Sequence, residues 1–126
     1  MKKIAPFFLL LLANMYCSKN NGSSDDRVAP AITLSSPAQG QTFAGNQVVA
    51  ITGTITDAEK IAEVHIHISN TDNGSLLVDI HRYPGTGNYA LNETFTIPGN
   101  GTYRIQVIAK DNSANEGRTT VSISSN

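Results

Sequence analysis

From Ala31 onward, apolar and polar residues alternate with a period of two, which marks strands that bury one face. Ile32 and Leu34 open the series, and Val49, Ile51 and Ile55 share one face of a second strand. Val64, Ile66 and Ile68 form a third set, and Val78 and Ile80 a fourth. Tyr89, Leu91, Phe95 and Ile97 make the fifth, Tyr103, Ile105, Val107 and Ala109 the sixth, and Val121 and Ile123 the seventh. Pro37-Ala38-Gln39-Gly40, Asp72-Asn73-Gly74, Pro84–Gly87, Pro98–Gly101 and Asp111-Asn112 separate these sets with turn-forming residues. Glu93 falls on the inward face of the fifth set, which predicts a bulge or a sheet edge there. No i, i+3, i+4 pattern persists for three turns. The pattern therefore predicts an all-β domain, a seven-stranded antiparallel β-sandwich over residues 30–126.

The start of the chain follows a different rule. Lys2 and Lys3 precede an apolar stretch, Ile4–Ala13, interrupted by Pro6. A bilayer-spanning helix needs roughly 20 apolar residues, so this stretch is too short to span and reads as a signal peptide over residues 1–16. It ends at Asn14-Met15-Tyr16-Cys17, and Cys17 is the single cysteine of the chain. An apolar leader, a cysteine and then a polar tail are the order that lipoprotein processing requires. Cys17 is therefore expected to be acylated, with palmitate or a similar chain, and to become the mature terminus. Tyr16 stands where such a site usually carries a small residue. Residues 17–29 are mostly polar and are expected to form a flexible tether. The run Cys17-Ser18-Lys19 leading to Asp25-Asp26 resembles the start of Bacteroidota surface lipoproteins. That resemblance implies outer-membrane anchoring, with the domain on the cell surface or facing the periplasm.

Charge and composition narrow the function. The chain of 126 residues holds nine Lys and Arg against ten Asp and Glu. Loss of Lys2 and Lys3 with the leader leaves seven against ten, a net charge of −3. No basic cluster is available to neutralise a phosphate backbone, which argues against nucleic-acid binding. With Cys17 acylated, neither a disulfide nor a cysteine nucleophile remains. No Gly-rich phosphate loop opens a helix, no serine sits in a nucleophile elbow, and His-Glu-x-x-His does not occur. The sequence thus favours a binding or structural module over an enzyme.

Ile97-Pro98-Gly99-Asn100-Gly101-Thr102-Tyr103 places a tyrosine just after a Pro/Gly corner, at the opening of an alternating strand. This resembles the tyrosine corner of immunoglobulin-like domains, where the hydroxyl bonds the corner backbone and the ring packs inside. The following Val107–Gly117 is similar to the last hairpin of bacterial immunoglobulin-like and cadherin-like repeats. The resemblance covers residues 30–126 and implies an immunoglobulin-like β-sandwich. Such sandwiches serve as spacers, adhesins and ligand binders, so it does not select a function.

Two groups of residues could carry chemistry. His65 and His67 alternate with Val64, Ile66 and Ile68, and Asp79 and His81 are out of phase with Val78 and Ile80, so all four should point outward. A hairpin pairing Ile68 with Val78 and Ile66 with Ile80 sets His65 opposite His81 and His67 opposite Asp79. Opposed side chains lie roughly 5 Å apart at Cβ, close enough for His65, His67, Asp79 and His81 to share Zn²⁺ or Cu²⁺. Solvated polar residues on an outer face would give the same pattern, and one residue of slip would disperse it. The second group is Asp57 and Glu59 with Asp111, Asn112, Asn115 and Glu116. These sit in loops at one end of an immunoglobulin-like sandwich, where Asp57, Asp111 and Asn112 could hold Ca²⁺. Ordinary turn bonding accounts for the same residues. The expected partners are the lipid bilayer, through Cys17, and an envelope protein or glycan. The alternative expectation is a metal-binding envelope lipoprotein.

Overall fold

The computed structural model describes residues 25–126. The leader at 1–16 and Cys17 lie outside the described residues. Seven strands form among the described residues: β1 (Ala31–Ser36), β2 (Thr42–Phe43), β3 (Val48–Asn70), β4 (Leu76–Arg82), β5 (Thr86–Thr96), β6 (Gly101–Asp111) and β7 (Glu116–Ser125).

The strands are those the alternation predicts, with two corrections. The second and third predicted strands are one continuous strand, β3, of 23 residues. Its first half, through Thr56, pairs with β1 and β5, while its second half, from Ile61, pairs with β6 and then β4. β3 thus passes from one layer of the sandwich to the other without a turn. The crossing lies at Asp57–Lys60, where the β5 register jumps from Thr56↔Asn88 to Ile61↔Thr86. Gly87 is required at that point, because a Cβ on it would stand 2.8 Å from the Asp57 carbonyl oxygen. The second correction is the pairing. β2 runs parallel to β7, Thr42 to Ser124 and Phe43 to Ser125, so the sandwich is mixed rather than wholly antiparallel. A two-residue strand has no period to read, yet it delivers Phe43 to the core, where it is 8% exposed.

The core lies between the layers. Val49, Ile51 and Ile55 from the first half of β3 meet Val64, Ile66 and Ile68 from its second half, together with Ile105 and Val107 of β6. Each is 0–1% exposed. Full burial of one such side chain contributes about 1.5–3 kcal/mol, so this set dominates the favourable side of folding. At the corner before β6, the Tyr103 hydroxyl donates to the Gly99 carbonyl at 2.6 Å. Its ring is 1% exposed and meets Phe95 edge-on, with centroids 5.8 Å apart.

Glu93 lies on an edge strand, since β5 pairs with β3 alone. The register through Glu93 is regular, so there is an edge but no bulge at this residue. Its carboxylate points inward and accepts from Arg82 Nε at 2.8 Å. Arg82 ends β4 in the other layer, and this ion pair closes the open side of the sandwich. The chain meets the sandwich before Pro30: the Asp26 carbonyl accepts from Asn115 Nδ2 at 2.8 Å, and Pro30 is buried.

Candidate metal-binding face

β3 is the central strand of its second layer, flanked by β4 and β6. Period-two alternation buries Val64, Ile66 and Ile68 and leaves Glu63, His65 and His67 on the opposite face. The β3–β4 register sets His65 opposite His81 and His67 opposite Asp79. On the other flank, β6 sets Gln106 beside His67, Ile108 beside His65 and Lys110 beside Glu63.

These side chains converge on one carboxylate oxygen. Glu63 Oε1 lies 2.8 Å from His65 Nε2 and 3.1 Å from His81 Nδ1, and the two imidazole nitrogens also face each other directly. The other nitrogen of His81, Nε2, lies 3.0 Å from Asp79 Oδ1, which is 3.2 Å from His67 Nε2. A continuous chain results, from Glu63 through His65 and His81 to Asp79 and His67. Of the four residues the sequence brought together, His65 and His81 meet at the centre, while Asp79 and His67 lie one step outward. Glu63 was missed in the sequence, although it shares the outward parity of His65 and His67 two residues upstream. A glutamate on an exposed strand face is common, and only the cross-strand register shows that it meets two histidines.

The electrostatics follow the geometry. The hydrogen bond from His81 holds the Glu63 carboxyl below its ordinary value, against a smaller upward push from burial. Reciprocally, the Glu63 contact, aided by Asp79, raises the His81 imidazole above its ordinary value. A shallow depression opens beside Glu63 and His65, lined further by Ile108, Lys110 and Glu116. It offers donors and acceptors for a cation or a small polar ligand. It holds no serine or cysteine nucleophile.

The end bearing the crossing and the β6–β7 turn is organised differently. Asp111 is 2% exposed, and its Oδ1 accepts from the backbone N–H of Ser113 at 2.8 Å and of Asn115 at 2.9 Å. Its Oδ2 accepts from Asn115 Nδ2 at 2.8 Å. Burial alone would push this carboxyl up, but the Asn115 and Ser113 donors outweigh it and hold the group below its ordinary value. Asp57 Oδ1 accepts from the Glu59 N–H at 2.8 Å, and the backbone N–H of Asn112 donates to the Lys60 carbonyl. The carboxylates that gather here are Asp26, Glu59 and Asp111. Asp57 and Asn112 are not in that group, and the Asp111 oxygens are engaged in shaping the turn.

Fold and surface together define an immunoglobulin-like sandwich with a histidine-rich outer face. The model of the bacterial Ig domain family matches residues 30–123, and the chain belongs to that family. A search of curated proteins finds no match. Among solved structures, fibronectin(III)-like modules of CbhA from Clostridium thermocellum align with a TM-score of 0.53 and 16% identity, over 75% of this chain and 94% of that one. The PKD domain of an M14-like peptidase from a Thermoplasmatales archaeon aligns at 0.51 and 19% identity, over 77% and 92%. A superoxide reductase (neelaredoxin) from Ignicoccus hospitalis aligns at 0.52 and 13%, over 78% and 80%. At these identities the likenesses speak to fold alone, and the reductase activity belongs to that protein.

Proposed function

We propose that the chain is a non-catalytic module held at the bacterial envelope by a lipid on Cys17, where it serves a structural or binding role toward an envelope protein or glycan. The observation that carries this reading is the way the chain enters the sandwich. Asp26 and Pro30 dock beside Asn115 and Gly117, at the end that holds the β3 crossing and the β6–β7 turn. Eight residues separate Cys17 from Asp26 and can span no more than about 30 Å when fully extended. An anchor at Cys17 therefore keeps this end near the bilayer. The loops at 37–41, 71–75 and 97–100 lie at the other ends of these strands, where a partner can reach them. Membership of the bacterial Ig domain family supports a module without catalysis. Acyl chains would hold the domain by burying methylene groups, at about 0.8 kcal/mol each.

The test is Cys17→Ala expressed in the native host, followed by membrane fractionation and labelling with a palmitate analogue. The variant should lose the label and either leave the membrane fraction or accumulate with its leader uncleaved. A variant that remains membrane-bound and normally matured would overturn the proposal.

A further inference from the structure

We infer that Glu63, His65 and His81 form a binding site for one divalent transition-metal ion of the zinc class, with Asp79 and His67 as its outer supports. The inference rests on the sheet face alone and is independent of how the chain is anchored. Its first ground is convergence. Glu63 Oε1, His65 Nε2 and His81 Nδ1 all lie within 4.8 Å of one another, and two of the separations are 2.8 and 3.1 Å. Zn²⁺ binds nitrogen and carboxylate oxygen at about 2.0–2.2 Å, so donors around one ion stand roughly 3.3 Å apart. Small side-chain movements bring this trio to that spacing.

The second ground is the direction of the donors. His65 Nε2 and His81 Nδ1 face each other, and both lie against Glu63 Oε1, so the three electron pairs are turned toward one point. One divalent ion there takes up all three. The third ground is the outer support. With an ion on Nδ1, His81 keeps its proton on Nε2, which stands 3.0 Å from Asp79 Oδ1. Metal-bound imidazoles are commonly oriented by such a carboxylate. Asp79 is itself fixed by His67 at 3.2 Å.

Both strands that supply ligands are paired in the sheet, so the site stands on rigid backbone. His65 and His81 are 27% and 38% exposed, so the fourth coordination position is open to water or to a ligand from a partner. Two imidazoles and a carboxylate suit Zn²⁺, Co²⁺, Ni²⁺ or Cu²⁺ and not Ca²⁺ or Mg²⁺, which take oxygen ligands. Lys110, beside Glu63, weakens the field for a cation, and Glu116 in the same depression is paired with Arg118 at 2.6 Å.

The test is calorimetric titration of the purified full chain with Zn²⁺, with Co²⁺ absorption reporting the ligand set. Wild type should bind one Zn²⁺ per chain in competition with Co²⁺ and should bind neither Ca²⁺ nor Mg²⁺ at this face. His65→Ala and His81→Ala should each weaken Zn²⁺ binding by about 100-fold or more, and Asp79→Asn by about 10-fold, the range for an outer support. Circular dichroism of each variant should match wild type, since these side chains lie on the solvent face. Absence of Zn²⁺ uptake by wild type would overturn the inference. So would uptake that survives unchanged in both His65→Ala and His81→Ala, which would put the ion elsewhere.

Discussion

Asp111 offers the most direct test of how the β6–β7 end is built. Its carboxylate accepts three N–H bonds, two from backbone and one from the Asn115 side chain, and the residue is 2% exposed. Hydrogen bonds to a charged group contribute about 1.5–3 kcal/mol each, and a buried donor left without a partner costs about 1–3 kcal/mol. Ser113 is exposed and Asn115 half-buried, so water replaces part of what Asp111→Ala removes. The low end of the range for an unpartnered donor applies, about 1 kcal/mol for each donor and about 3 kcal/mol for the three together. A domain of this size has roughly 5–15 kcal/mol in total, so the loss is severe. Asp111→Asn keeps the two backbone bonds but turns an amide NH₂ toward the Asn115 NH₂, and should cost about 1.5 kcal/mol. Urea unfolding followed by far-ultraviolet circular dichroism checks both variants. With a slope near 1.5 kcal/mol per molar, the midpoint should fall by about 2 M for Asp111→Ala and about 1 M for Asp111→Asn.

The pH dependence has a definite sign. Folding holds the Asp111 carboxyl below its unfolded value of about 3.9, so its contribution is full above that pH and fades as pH falls through the folded value. The gap between wild type and Asp111→Asn should therefore narrow on acidification below about pH 4. Losses under 1 kcal/mol in both variants, or a gap that widens in acid, would refute this account of the turn.

Three further substitutions test the frame. Tyr103→Phe removes the bond to the half-buried Gly99 carbonyl and should cost about 1 kcal/mol, read as a fall of about 5 °C in Tm with the fold retained. Gly87→Ala places a methyl group 2.8 Å from the Asp57 carbonyl and 3.2 Å from that of Glu59. It should cost about 2 kcal/mol and speed amide exchange around residues 57–61, where β3 crosses between layers. Glu93→Gln breaks the pair with Arg82, in which the carboxylate is 14% exposed. It should cost about 1 kcal/mol in thermal unfolding at low salt and less at high salt.

The parts of the fold visible in the sequence are those in which one strand carries its own period. Val64, Ile66 and Ile68 specify an inward face without reference to any other strand, and the same holds for Tyr103 through Ala109. β2 escaped because Thr42 and Phe43 are too few to alternate, and its parallel course is set by β7, not by its own residues. The merger of two predicted strands escaped for a related reason. Asp57-Ala58-Glu59-Lys60 has a turn-like composition, yet its backbone stays extended while crossing the layers. The Asp57 side chain bonds the Glu59 N–H there without turning the strand back.

The outer face shows how far such reasoning reaches into a site. A hairpin through Asn70–Ser75 with its apolar faces aligned has one register, and that register sets His65 opposite His81 and His67 opposite Asp79. Cross-strand opposition settles which residues are neighbours but not which atoms meet. His81 turns Nδ1 toward Glu63, while its Nε2 goes to Asp79. Only the rotamers separate the inner trio from the outer pair, and rotamers answer to side chains on both flanking strands. Glu63 entered for the same reason, because its value depends on two histidines reaching back along the strand toward it. If a metal binds here, the side-chain chain from Glu63 to His67 predicts an order of sensitivity that strand opposition alone does not. Loss of His65 or His81 should weaken binding most, loss of Asp79 less, and loss of His67 least.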